Sequence, residues 1–324
     1  LCQIVRREVG VRAAALVAGV LAQAVLQSPL LSGRASALAE VESLDSAARI
    51  DPTSSRWRDD LFTIINAALT VRLLPALPTL AGADSRCAAT AGEPANAALL
   101  AKIRALLAKA ESTEFAEEAE AFTLKASELM TRHRIDSAAL ESGHEGTRRD
   151  GVVSRRVWLE DPYVPAKGFL LAVVARANGG TSVRMDLGFS IVLGLAEDID
   201  LVEVLFTSLL VQATRQMTVA GRRAGQRTAP FRRSFLLAYA TRISARLEEA
   251  NRQATEAAKQ EIGDSFLPVL ARRREDVDDA VDRLVGKKNL RTTRFTASDR
   301  AGWSAGTAAA DLADLGTRSV LGAR

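Results

Sequence analysis

Between Gly221 and Leu247 the chain carries seven arginines and no acidic residue. Arg232, Phe235, Tyr239, Arg242 and Arg246 recur at steps of three and four, so on a helix they share one stripe. Arg222, Arg223 and Arg227 come just before them, in a glycine-bearing loop. A guanidinium fork matches the geometry of a phosphate. An aromatic face beside it can stack on an unpaired base. Lys287, Lys288, Arg291 and Arg294 extend the same chemistry if the fold brings them near. The competing arrangement pairs the arginines with carboxylates elsewhere and turns Phe235 and Tyr239 into the core. Leu236, Ala240, Ile243 and Leu247 form the neighbouring apolar stripe in either case.

A second group is acidic: Glu160, Asp161, Asp186, Glu197, Asp198 and Asp200, all near the ends of expected strands. Three of these converging, Glu160, Asp186 and Asp198, would hold a divalent cation for phosphodiester hydrolysis. The alternative is that Asp198 caps a helix and that Glu197 and Asp200 favour its positive end. His133 sits between Arg132 and Arg134 at an expected helix end, with no carboxylate adjacent in sequence to orient it. Ser112 and Thr113 suit a turn and lack a paired base. Cys2 and Cys87 are the only cysteines. Two thiols so far apart make neither a disulfide framework nor a zinc ribbon and point to a reducing cytoplasm. No cofactor motif is present, so none is expected.

These residues need elements to position them. Abundant alanine and leucine with only 5% aromatic residues favour helices. Residues 3–27 read as one alanine-rich helix. Its Ala13 to Leu26 stretch mimics an export signal, but Gly19 and Gln23 interrupt it and a buried helix accounts for it better. Asp60 to Leu74 reads as another helix, stopped by Pro75 and Pro78. Leu99, Leu100, Ile103, Leu106, Leu107 and Ala110 give one helical stripe, and Ala119, Phe122, Ala126, Leu129 and Met130 give a second. A five-residue connection folds them into an αα-hairpin. Val152 to Leu159 is strand-like and Ala166 to Ala177 helical. Asn178-Gly179-Gly180 stops that helix. Thr181 to Asp186 and Phe189 to Leu195 are expected to pair as a hairpin around Leu187-Gly188. A long helix from Asp198 to about Ala220 and another from Phe231 to about Gln260 follow. Phe266 to Leu270 reads as a short strand, Val277 to Val285 as a small helix, and Ala301 to Leu315 as a closing helix. In that last helix Gly302 and Gly306, one turn apart, allow close backbone packing on a neighbour.

The segment "KIRALLAKAESTEFAEEAEAFTLKASELMTRHRID" resembles domain of unknown function 2786, a helical-hairpin family of bacteria and their phages. The resemblance rests on Lys102-Ile103, Leu106-Leu107, Ala110, Glu111-Ser112-Thr113, Glu117-Glu118-Ala119, Lys125-Ala126, Leu129-Met130 and Ile135-Asp136. Ala116 stands where many relatives have proline. From Val152 onward "FLLAVVARANGG", "IVLGLAEDID" and "SFLLAYATRISARL" resemble the uncharacterised partner domain that follows it, domain of unknown function 7168. The alanine-rich start is similar to the extension of actinobacterial members. The resemblance implies a layout and a bacterial cytoplasm. It implies no activity and no catalytic residue.

The expectation is therefore a mostly helical α+β protein. An alanine-rich helical region (1–78), a linker (79–97), the hairpin (98–140), a second linker (141–151) and a β-α-β-β-α domain with further helices (152–324) make up the chain. Its expected role is a non-enzymatic, cytoplasmic module that binds nucleic acid or a protein partner through the basic surface. A metal-dependent nuclease and a purely structural, self-associating protein are the alternatives. No membrane contact is expected.

Overall fold

A computed structural model describes residues 2–17, 53, 55–73, 94–113, 116–142, 151–185, 188–223, 225, 228–286 and 296–312. The chain divides into two compact units, Leu1–Pro78 and Thr79–Arg324. The protein is α+β and mostly helical, with one small antiparallel sheet. No helix among the described residues is long and apolar enough to cross a membrane.

In the first unit, helix α1 (Cys2–Glu8) ends at a turn, and residues 11–17 are helical again. The single helix expected over 3–27 is thus broken at Gly10, whose φ of +124° lies outside the helical range. Its part beyond residue 17 lies outside the described residues. Helix α2 (Trp57–Leu73) contributes Ala67 to a small cluster with Val5 and Ala13. Arg12 Nε holds the buried Asp60 at 2.7 Å. On the other side of α2, Leu61, Phe62, Ile65 and Leu69 are exposed.

The second unit opens with the hairpin of α3 (Pro94–Ser112) and α4 (Ala116–Ser142). Ile103 and Leu107 from α3 and Ala126 and Met130 from α4 are buried together, as the two stripes require. Helix α3 starts at Pro94, inside the expected linker, where a proline in the first turn gives up no helical hydrogen bond. Helix α4 runs two residues past its expected end because Glu141, in the expected second linker, is claimed by Arg273 Nη2 at 2.7 Å.

Strands β1 (Val153–Trp158), β2 (Thr181–Met185) and β3 (Phe189–Gly194) form a sheet in the order β1-β3-β2. Every residue of β3 is buried, which explains its uninterrupted FSIVLG character. Between β1 and β2 runs α5 (Val164–Ala177). It ends as expected: Gly179 has φ +78° and Gly180 N–H donates to Ala175 O at 2.9 Å. The remaining helices are α6 (Ala196–Arg223), α7 (Ala229–Ile262), α8 (Leu267–Val285) and α9 (Arg300–Leu312). The strand expected at Phe266–Leu270 is instead the start of α8. A five-residue apolar run cannot tell the two apart by period, and Pro268 fits a first helical turn.

The most extensive helix contact joins α7 and α9. It is a glycine contact, as the spacing suggested. A methyl group at Gly302 or Gly306 would overlap the carbonyl oxygen of Phe231 or Phe235. The pairs are 302 with 231 and 306 with 235, so the helices run in the same direction and in step. A Gly306→Ala change should therefore lower unfolding stability by about 1–3 kcal/mol, typical of overpacking. A urea or thermal unfolding curve unchanged from the parent protein would refute this contact.

Candidate nucleic-acid interface

The α6–α7 junction and the start of α9 come together at one end of the second unit. Helix α6 buries Ile199, Val202, Leu205, Leu209, Ala213 and Met217 along one stripe and finishes with Arg222 and Arg223 exposed. Residues 224–228 join it to α7, so the two helix ends lie within about 20 Å. Thr228 Oγ1 accepts the Phe231 N–H at 3.3 Å and caps α7. Ser234 Oγ accepts the N–H groups of Ser298 (3.2 Å) and Asp299 (3.0 Å). Asp299 Oδ1 accepts the Gly302 N–H at 2.6 Å and caps α9. Parallel packing then sets the first turns of α7 and α9 side by side, with their positive ends toward the same solvent.

Five arginines occupy this end: Arg222 and Arg223 on α6, Arg232 and Arg233 on α7, and Arg300 on α9. Arg232 is half-buried and the other four are exposed. None of the five forms a salt bridge with a described residue, and Asp299, the nearby acid, is engaged by its own helix. The stripe expected from sequence is therefore only partly a surface. Phe235 and Tyr239 are fully buried and stacked on each other, with ring centroids 6.4 Å apart, so neither can meet a base. Arg242 is paired with Asp311 of α9. Arg246 is buried, and its Nη1 donates to the main-chain carbonyls of Ala310 and of Asp311, the latter at 3.1 Å. It closes the carboxyl end of α9 and is a structural cation. Lys287, Lys288, Arg291, Arg294 and Arg227 lie outside the described residues.

The acidic group does not converge. In the β1–β3 ladder Val153 pairs with Gly194 and Trp158 with Phe189. Glu160 follows one end of that ladder and Asp198 follows the other, separated by about 17 Å of strand. Glu160 is exposed, whereas Asp198 is buried. Asp186 lies outside the described residues. No group of three metal-ligating side chains occurs among the described residues. Nor is Asp198 an N-cap, because α6 begins two residues earlier.

Asp198 belongs instead to a buried charge network that sequence reasoning missed. His133 Nε2 lies 3.4 Å from Glu197 Oε2, so a carboxylate does face it, supplied by a distant helix. Ser137 Oγ donates to Glu197 Oε1 at 3.3 Å and accepts from Arg273 Nη2 at 3.1 Å. Arg134 Nη1 donates to Ala177 O at 2.7 Å. These contacts tie α4 to α5, α6 and α8. Burial lowers the Arg134 guanidinium from its ordinary value, against the pull of Asp198. Burial pushes the Asp198 carboxyl up to about 6, opposed by Arg134, Arg273 and His133 and reinforced by Glu197. No pattern in the sequence marks this network, because its members lie on four elements far apart in the chain.

A charged groove of about 410 Å³ lies elsewhere, between α3 and α6, with Arg104, Glu111, Arg155, Asp200 and Glu203 on its walls. Arg155 spans Asp200 (2.5 Å) and Glu203 (2.7 Å). The interactions lining that groove therefore include neutralised ion pairs, unlike the arginine end.

Fold and site together define a helical α+β protein in which five arginines at one end form no salt bridge with a described residue. Residues 98–137, the hairpin, match the family model described as "Protein of unknown function (DUF2786)". No curated protein and no solved structure matches the chain.

Two outcomes follow from the geometry. Arg246→Gln should cost about 1–3 kcal/mol of stability by uncovering buried carbonyls, while Arg242→Gln, at an exposed pair, should cost at most about 1 kcal/mol. Chemical denaturation of both variants checks this; equal costs would contradict the assigned roles. Asp198 binds its proton more tightly when folded than in the unfolded chain, whose ordinary value is about 3.9. Its contribution must therefore fall as pH rises through about 4 to 6. The stability of Asp198→Asn relative to the parent should improve across that window, measured by unfolding at each pH. A flat difference would show that the carboxyl is not so shifted.

Proposed function

We propose that this chain is a non-enzymatic module that binds nucleic acid through the arginine end of its second unit. One observation carries the reading: Arg222, Arg223, Arg232, Arg233 and Arg300 gather at one end without an ion pair to a described residue. Other arginines of the same unit, Arg132, Arg155, Arg242 and Arg273, are matched by carboxylates. Cations held without counter-charges are suited to phosphates, and the two helix starts beside them add partial positive charge. The hairpin braces the platform through the α4 network. In this reading the protein works in a bacterial cytoplasm, in keeping with its two widely spaced cysteines, and residues from about 152 onward form the partner domain of the hairpin family.

Binding of a mixed-sequence oligonucleotide should weaken steeply with added salt. Replacing Arg222, Arg223, Arg232 and Arg233 by Gln should lower affinity and flatten the salt slope by roughly one unit per lost phosphate contact. Fluorescence anisotropy across a salt series measures both. Affinity that ignores salt, or a variant that binds like the parent protein, would sink the proposal.

A further inference from the structure

A site for an unpaired strand combines cations with aromatic faces on which bases stack. The fold withholds those faces here. Phe231, Phe235 and Tyr239, the aromatic residues of α7, are each 0% exposed. The one exposed aromatic side chain among the described residues of the second unit is Trp303, in the first turn of α9. It turns away from Arg232. Gly302 faces the carbonyl of Phe231, and Trp303 and Arg232 each follow one of these facing residues by one position. That is a rotation of about 100° in the same sense on both helices. In parallel helices it sends the two side chains to opposite sides of the pair.

The same geometry spreads the cations. Arg233 and Arg300 each stand two positions from a facing residue, about 200° around the helix. They therefore point to the two outer flanks of the pair, with Arg232 on a third side. Such cations do not line one narrow track. A duplex presents two rows of phosphates, so cations spread across a width can each find one.

We infer that the arginine end is a duplex site, which holds double-stranded nucleic acid by its phosphates with no base stacking. The inference rests on the proposed function and specifies its ligand. Without stacking, affinity comes from counterions released by neutralised phosphates, about 0.9 per contact on a duplex and about 0.7 on a single strand. Five arginines then give log–log salt slopes of about −4.5 and about −3.5. If the two ligands bound equally at 1 M salt, the duplex would bind roughly tenfold more tightly at 0.1 M.

The test uses the full chain, with a labelled 20-base-pair duplex and a labelled oligodeoxythymidine 20-mer as probes in a salt series. At 0.1 M salt the duplex should bind roughly tenfold more tightly, with the steeper slope. Arg233→Gln and Arg300→Gln, on opposite flanks, should each weaken duplex binding about eightfold, the loss of one contact. Trp303→Ala, at an exposed position, should leave both affinities unchanged. If the single strand binds as tightly as the duplex, if neither arginine variant weakens duplex binding, or if a folded Trp303→Ala protein loses affinity, the duplex inference falls and the cationic site stands. If neither probe binds, the proposed function falls and this inference with it.

Discussion

Everything at the cationic end depends on how closely α9 can approach α7. Two hydrogen atoms, at Gly302 and Gly306, face the carbonyls of Phe231 and Phe235 where any larger side chain would collide. Contact at that distance replaces side-chain interdigitation with direct backbone packing. It also fixes direction and register together, because the two glycines must each find a carbonyl one turn apart. With the helices parallel and in step, their amino-terminal turns must emerge side by side. Arg232, Arg233 and Arg300 come to the same end of the unit for that reason and not because of any local preference of their own.

The same contact settles how arginines are spent. Near the carboxyl end of α9, Arg246 reaches from α7 to the last carbonyls and Arg242 to Asp311. Both lock the pair of helices at the end away from the cationic turns. The arginines of the first turns form no ion pair with a described residue. A helix pair running in parallel thus sorts its cations by position: those beside carbonyl ends become structural and those beside amide ends remain available to an anion.

On the opposite flank, the hairpin is held by a network rather than by apolar contact alone. Glu141 on α4 takes Arg273 of α8, and Glu197 on α6 takes Ser137 and faces His133. Asp198 sits buried beside Arg134 without full compensation, which is why its carboxyl holds a proton to higher pH than usual. Buried charges of this kind contribute less to stability than to choosing one docking geometry. For this protein that geometry is the seating of the family-matching hairpin on α5, α6 and α8.

Much of the fold was legible in the chain. Threefold and fourfold spacing announced the hairpin helices, Asn178-Gly179-Gly180 announced the end of α5, and the glycine pair announced a close helix contact. These features are local: a period, a conformational freedom, a missing Cβ. The short run at Phe266 was misread because five apolar residues fit either period. The site was legible only as a collection of arginines. A helical period fixes the angle between Arg232, Phe235, Tyr239 and Arg246, but not the side on which another helix lies. That choice came from tertiary packing, which buried the two aromatics and Arg246 and supplied His133 with a carboxylate from a distant helix. Charge neutralisation and burial are decided between residues far apart in sequence, and so the sequence specified the cations while only the folded structure decided which of them face water.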